Sequence, residues 1–153
     1  MNRKKPWPVY VLLLLLIFLG ISGVGGGIAL IVKPDGSIMQ MPVSVLKGSL
    51  FTDFLIPGII LFLILGIFPL LTFLIMMIEP DWKRMQSLSI YQDRYVGWML
   101  SLFAGFGLII WMNIEIAIIG FGAIIQVIYS ILGLLLLIFT LIPSVMKHYE
   151  RRT

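Results

Sequence analysis

Apolar residues fill four long stretches of this chain, and polar residues gather in the segments between them. A helix needs roughly 20 apolar residues to cross a hydrocarbon core about 30 Å thick, and each stretch reaches that length. The stretches cover about 7–32, 54–78, 95–119 and 123–142. The pattern therefore predicts an all-α, polytopic membrane protein, in which residues 1–153 form a single antiparallel bundle of four transmembrane helices.

Composition favours the same class. Hydrophobic residues make up 60% of the chain and charged residues 12%, whereas soluble domains have about half and about a quarter. The start, NRKK followed by VYVLLLLLIFLG, is also typical of a secretory signal, but the apolar run continues and no Ala-x-Ala-like site follows, so we expect a retained helix. The chain has no cysteine, which excludes disulfides, thiolate metal sites and cysteine nucleophiles.

Lysine and arginine predict the orientation of the bundle. If both termini and the inner loop 79–94 are cytoplasmic, nine basic residues lie inside and two, Lys33 and Lys47, lie outside. This asymmetry follows the positive-inside rule. Contact with anionic lipid headgroups then explains the formal net charge of +4, and nucleic acid is not expected as a partner.

The polar segments at the cytoplasmic side suggest surface contacts. The inner loop 79–94 mixes charged residues with Trp82 and Met85, as an interfacial anchor or a docking site for a cytoplasmic partner would. The cytoplasmic tail 143–153 holds the single histidine, His148. We expect this side chain to face solvent or lipid headgroups.

The second stretch carries unusual residues. Thr52 or Asp53 can cap its start by accepting backbone N–H groups, and Pro57 falls in the first turn, where a missing N–H costs little. Pro69 lies past the middle, where it cannot donate to the carbonyl four residues earlier and its ring pushes against that turn. The sequence predicts a kink around 66–69, either a static packing feature or a moving hinge.

The outer loop 33–52 joins turn chemistry in KPDGS to the apolar run IMQMPVSVL, so we expect it to lie on the membrane surface or to cap the bundle. With the following pattern FTDFLIPG at 51–58, this segment resembles part of a family of small, functionally uncharacterised four-helix membrane proteins of bacteria. The resemblance covers mainly 33–71. It implies a four-helix topology and a bacterial origin, hence a location in the plasma membrane, and it assigns no functional residue.

Small residues recur at helical spacing on three of the four stretches. In lipid, helices associate through close contact and polar bonds, so such rows mark packing seams. They can serve packing within the chain, a homodimer seam or a polar conduit. The rows are Gly20, Gly23 and Gly27; Gly97, Ser101, Ala104 and Gly105; and Ala123, Gln126, Ser130 and Gly133.

Glu115 is the acid that we single out. It follows Gly97 by eighteen positions, which is about five helical turns, so it should face into the bundle with the seam. Gln126, beyond the turn GFG, lies at a similar depth, and Asn113 is near. These three residues form a candidate intramembrane polar cluster. Glu115 can reach interfacial water or hydrogen-bond Gln126, bind a partner or lipid headgroup, or couple to protons or ions.

Residues for catalysis are scarce. One histidine cannot build a multi-histidine metal site or bis-histidine haem ligation, and the run GVGGG lacks the ending of a phosphate loop. We expect no catalytic, cofactor or metal residues. The favoured function is non-enzymatic: association in the lipid bilayer as a homo-oligomer or as an accessory subunit of a larger membrane protein. The alternative is a small transporter or channel that uses Glu115 and Gln126.

Overall fold

The computed structural model describes residues 4–80, 86–87 and 89–151. Within these residues four helices are long and apolar enough to cross a membrane, which confirms the predicted all-helical, multi-pass class. Their bounds differ from the predicted ones by at most one residue. The helices are α1 (Trp7–Val32), α2 (Leu55–Ile78), α3 (Val96–Ile119) and α4 (Ile124–Leu141), and a short α5 (Pro143–His148) follows them.

The four long helices pack side by side. α1 contacts α2 and α4, and α3 contacts the same two helices. A methyl group added at Gly20 would meet Leu70, and one added at Gly27 would meet Phe62, so α1 and α2 run in opposite directions. We call the end of the bundle where α1 ends and α2 begins the loop end. The opposite end, where α1 begins and α5 ends, is the terminal end.

α2 departs from α-helical geometry before Pro69. Leu61–Ile67 is a π-helical segment, and the Phe68 N–H bonds the Leu63 carbonyl, five residues earlier. Because Pro69 has no N–H and its ring crowds the preceding turn, a wider turn is a local way to accommodate it. The helix then continues in α geometry to Ile78. The predicted kink around 66–69 stays a prediction. The departure from α-helical geometry that the structure shows is this π segment.

The loop between α1 and α2 folds over the loop end. Asp53 Oδ1 accepts the Leu55 N–H at 2.9 Å, as expected for the start of α2. Gly36 has a φ of 75°, a conformation that favours glycine. A 3₁₀ turn spans Val43–Leu46. Phe54 and Leu46 are buried against Leu30. Of the two expected arrangements, on the membrane surface or over the bundle, the loop therefore has the second and caps the bundle.

The expectation for His148 is wrong. Its side chain is only 6% exposed, and its Nε2 lies 3.3 Å from a carboxylate oxygen of Glu79, which also pairs with Lys5. Next to it, the Tyr149 hydroxyl donates to the Met76 carbonyl at 3.0 Å. The tail docks because these residues satisfy polar groups at the end of α2. The predicted interfacial residues Trp82 and Met85 lie outside the described residues.

Candidate functional site

A cavity of about 440 Å³ lies inside the loop-end half of the bundle. All four long helices contribute to its wall, and the loop between α1 and α2 forms its roof with Met41, Leu46 and Phe54. The wall is almost entirely apolar. Leu19 and Leu65 mark its deep end, close to the point where the π segment of α2 contacts α1 at Gly23.

The cavity exists because α2 and α3 separate toward the loop end. Near the terminal end they touch closely, and a methyl group added at Gly97 would lie 3.0 Å from Met76 Cγ. At Gly107, further along α3, the nearest atom to an added methyl would be Ile64 Cγ2 at 3.9 Å. Glycines at 23, 26 and 107 also line the space, and each leaves the wall without a side chain.

The cavity opens on the flank of the bundle. Ile64 on α2 and Ile110 and Ile114 on α3 line it, and their side chains are 49%, 58% and 47% exposed. Residues that are exposed and also line a cavity mark its mouth. Met39 in the loop between α1 and α2 and Ile125 on α4 are also exposed lining residues, at 39% and 49%. Three of these five described residues lie on α2 and α3, so the mouth lies mainly between these two helices, on the side of the bundle.

Glu115 faces the cavity, as its helical position predicts. It is half-buried, and among the described residues that line the space it is the only one with a charged side chain. The side chains of Trp111, one turn earlier, and of Gln126 lie next to it. Among the described residues, no lysine or arginine lies within ion-pair distance of this carboxylate.

Gln126 lies beside Glu115, but its amide is largely committed to the turn between α3 and α4. Its side chain is 2% exposed. The amide oxygen accepts the N–H groups of Gly122 at 3.2 Å and Ala123 at 3.3 Å, and the amide nitrogen donates to the Gly120 carbonyl at 3.0 Å. Gln126 therefore holds the start of α4 in place next to the acid.

Asn113 does not join the polar cluster. Its side chain is exposed, and its amide donates to the Ile109 carbonyl on the same helix at 2.8 Å. A residue two positions from Glu115 points about 200° around the helix, which explains why the cavity wall does not include it. The expected cluster of three is thus a pair, Glu115 and Gln126.

The small-residue rows pack against neighbouring helices of the same chain. The three glycines of α1 meet α2, Gly97 of α3 also meets α2, and Gly105 and Gly133 join α3 to α4. Ser101 Oγ lies 3.2 Å from Thr140 Oγ1, and Ala104 is 1% exposed. Ser130 is half-buried. The glycine contacts are Gly20 with Leu70, Gly23 with Leu65, Gly27 with Phe62, Gly97 with Met76, Gly105 with Leu137, and Gly133 with Ile109.

Sequence reasoning missed the cavity and its aromatic residues. Trp111, Tyr129 and Phe51 line it, and the loop between α1 and α2 closes it. A usable signal was present in Gly26 and Gly107, two glycines outside the predicted seams. The arrangement can enclose an apolar molecule and place one carboxylate against it. A scan against protein-family models and searches of curated proteins and of solved structures find no match to this chain.

Proposed function

We propose that this is a multi-pass protein of the bacterial plasma membrane that binds an apolar or amphiphilic molecule from the bilayer. The cavity and its mouth between α2 and α3 carry this proposal. The volume of about 440 Å³ falls within the range of roughly 300 to 1,000 Å³ that is usual for small-molecule sites. Because the mouth is on the flank of the bundle, a molecule dissolved among acyl chains can enter sideways.

The proposed orientation is an antiparallel bundle with both termini in the cytoplasm. What supports it is the excess of lysine and arginine at the terminal end and in the loop 79–94. In this orientation the cavity opens toward the outer leaflet, and the loop between α1 and α2 covers it from outside.

The experiment is photolabelling of the full-length protein in vesicles with a long-chain alcohol that carries a diazirine. We expect crosslinks in 57–65 and 107–119. Gly107→Leu should sharply reduce labelling, since its side chain enters the cavity where the glycine leaves room. Gly25→Leu is the matched control: Gly25 is exposed and does not line the cavity. Equal labelling of both variants, or crosslinks outside the cavity, would overturn the proposal.

The transporter or channel alternative uses the same site. Glu115 faces the cavity, and a π segment, a feature that is frequent at functional sites, lies in the wall of α2. Toward the terminal end, Leu12, Leu16 and Leu108 are fully buried and fill the bundle. A transport cycle would therefore need α2 or α3 to move. Flux into proteoliposomes that is lost in Glu115→Gln would favour transport over binding alone.

Association with a second copy or a larger membrane protein is the second proposal. The predicted seams are used within the chain, so a partner needs another surface. Gly25 offers one, because an added methyl group there meets no atom of the described residues within 4 Å and another helix can approach closely. Native mass spectrometry of the protein from its own membranes tests this idea: a dimer or a stoichiometric partner would support it, and a bare monomer would refute it.

A further inference from the structure

We propose that the ligand of this cavity is an alkyl-chain amphiphile whose head is a protonated amine, held by the Glu115 carboxylate. This inference rests on the proposed function and names the chemical class that the site selects. It follows from the charge, the aromatic lining, the depth and the shape of the cavity.

Charge gives the first reason. Glu115 lines an apolar cavity, and no described lysine or arginine pairs with it. Gln126 can neutralise no charge, and its amide already bonds the turn at 120–123. A carboxylate among apolar groups is costly unless it takes up a proton or an opposite charge approaches it. A cationic head satisfies it, a neutral head does so less, and an anionic head is repelled.

The aromatic side chains favour the same class. Trp111 lies one turn from Glu115, Tyr129 lines the cavity from α4, and Phe51 contributes to the roof. Ring faces attract ammonium groups, most strongly where water is displaced. A cation beside Glu115 would therefore lie near the Trp111 ring as well as the carboxylate, inside a cavity that Tyr129 and Phe51 also line.

Depth places the head and the tail. Glu115 lies four residues before Ile119, the last residue of α3, which is about 6 Å along the helix axis. Gly107, at the deeper part of the wall, lies about 12 Å further from that end. The carboxylate is thus near the loop end, and the apolar wall extends toward the middle of the bundle. A lipid-like molecule has its polar head at the interface and its chain below, which is the same arrangement.

Shape agrees with an extended chain. The lining of α3 runs from Gly107 to Ile119, about 18 Å along the axis. The cavity therefore follows the helices over several turns, as an alkyl chain below a polar head requires.

The test compares two photoreactive probes with the same chain, a dodecylamine and the matching dodecanol, on the full-length protein in phosphatidylcholine vesicles. We expect the amine to label 107–119 about tenfold more than the alcohol does, an effect in the range of a charge-assisted contact. Glu115→Gln should abolish this preference, and Glu115→Asp should keep much of it. Asn113→Ala, outside the cavity, should behave as the wild type.

The outcomes separate the two proposals. If both probes label the cavity equally in the wild type, the preference for an amine head is refuted, and the proposal that the cavity binds an apolar molecule still stands. If neither probe labels the cavity, the proposed function fails as well. The comparison of the two probes on the wild-type protein tests the amine proposal even if Glu115→Gln fails to fold. If an amine lipid copurifies with the wild type and is depleted in Glu115→Asn or Glu115→Gln, the ligand comes from the bilayer. If the probe binds but no amine lipid copurifies, the ligand is an amphiphile that comes from outside the membrane.

Discussion

Gly23 is the residue on which the contact between α1 and α2 depends most. A side chain there would overlap the Leu65 carbonyl, and it would come within 2.7 Å of the Gly66 nitrogen. Both atoms belong to the backbone of the π segment, so neither can rotate away. A glycine at this point lets the two helices approach until backbone meets backbone, which is the usual basis of tight packing in lipid.

We expect Gly23→Ala to lower the free energy of unfolding by about 1–3 kcal/mol, because the added methyl group forces the helices apart. Gly25→Ala is the matched control in the same turn, where the methyl group has open space. It should be neutral or stabilise by up to about 1 kcal/mol, since alanine favours helix more than glycine does. Denaturation in mixed micelles measures both. Equal effects of the two substitutions would contradict the packing described.

Tyr149 gives a prediction for alkaline pH. Burial, and after it the negative charge of Glu79, raises the pKa of its hydroxyl above the usual value near 10. The folded state then holds this proton more tightly than the unfolded state does. Its contribution to stability is complete below about pH 10 and is lost as the pH rises further.

The free energy of unfolding should therefore fall more steeply above about pH 10 in the wild type than in Tyr149→Phe. Tyr10→Phe, which removes a hydroxyl from a side chain that is 53% exposed, should keep the wild-type slope. Denaturation curves over a series of alkaline buffers measure the difference. Parallel slopes for the wild type and Tyr149→Phe would show that the buried hydroxyl has no such role.

At the scale of elements, the end of α4 depends on α3. The last four carbonyls of a helix lack partners within it, and Pro143 cannot supply an N–H to them. The Trp98 indole N–H donates to the Thr140 carbonyl at 2.8 Å and satisfies one of them. The bond joins the start of α3 to the end of α4, so it fixes the two helices at the terminal end of the bundle.

Trp98→Phe should lower the free energy of unfolding by about 1–3 kcal/mol, because it leaves a buried carbonyl without its donor. Trp7→Phe is the control, since Trp7 is 69% exposed and its ring contact with Phe139 can be kept by phenylalanine. Thermal unfolding in detergent compares the two variants. If Trp98→Phe is as stable as Trp7→Phe, the indole bond does not secure α4.

At the scale of the whole molecule, the proposed orientation can be tested by labelling introduced cysteines, because the chain has no cysteine of its own that would also be labelled. Ser37→Cys at the loop end and Glu150→Cys at the terminal end are both exposed positions. In intact cells, a membrane-impermeant maleimide should label the first and should reach the second only after permeabilisation. The reverse pattern would place the termini outside and would contradict the positive-inside assignment.

The sequence by itself determined the helical class, the four spans and the face of Glu115. Run length fixes a span because the bilayer core has a fixed thickness, and helical periodicity fixes a face because the rotation per residue is constant. These properties are local to one segment. The same reasoning could anticipate that glycines such as Gly23 serve packing, but it could not say against which helix.

Only the tertiary structure decided what lies next to what. The cavity arises from the separation of α2 and α3, and the docking of His148 on Glu79 joins residues 69 positions apart. The exclusion of Asn113 depends on which part of α3 faces the cavity. Each of these features is set by distances between segments that are remote in the chain. Such distances follow from the packing of the whole bundle, and no single stretch of sequence contains them.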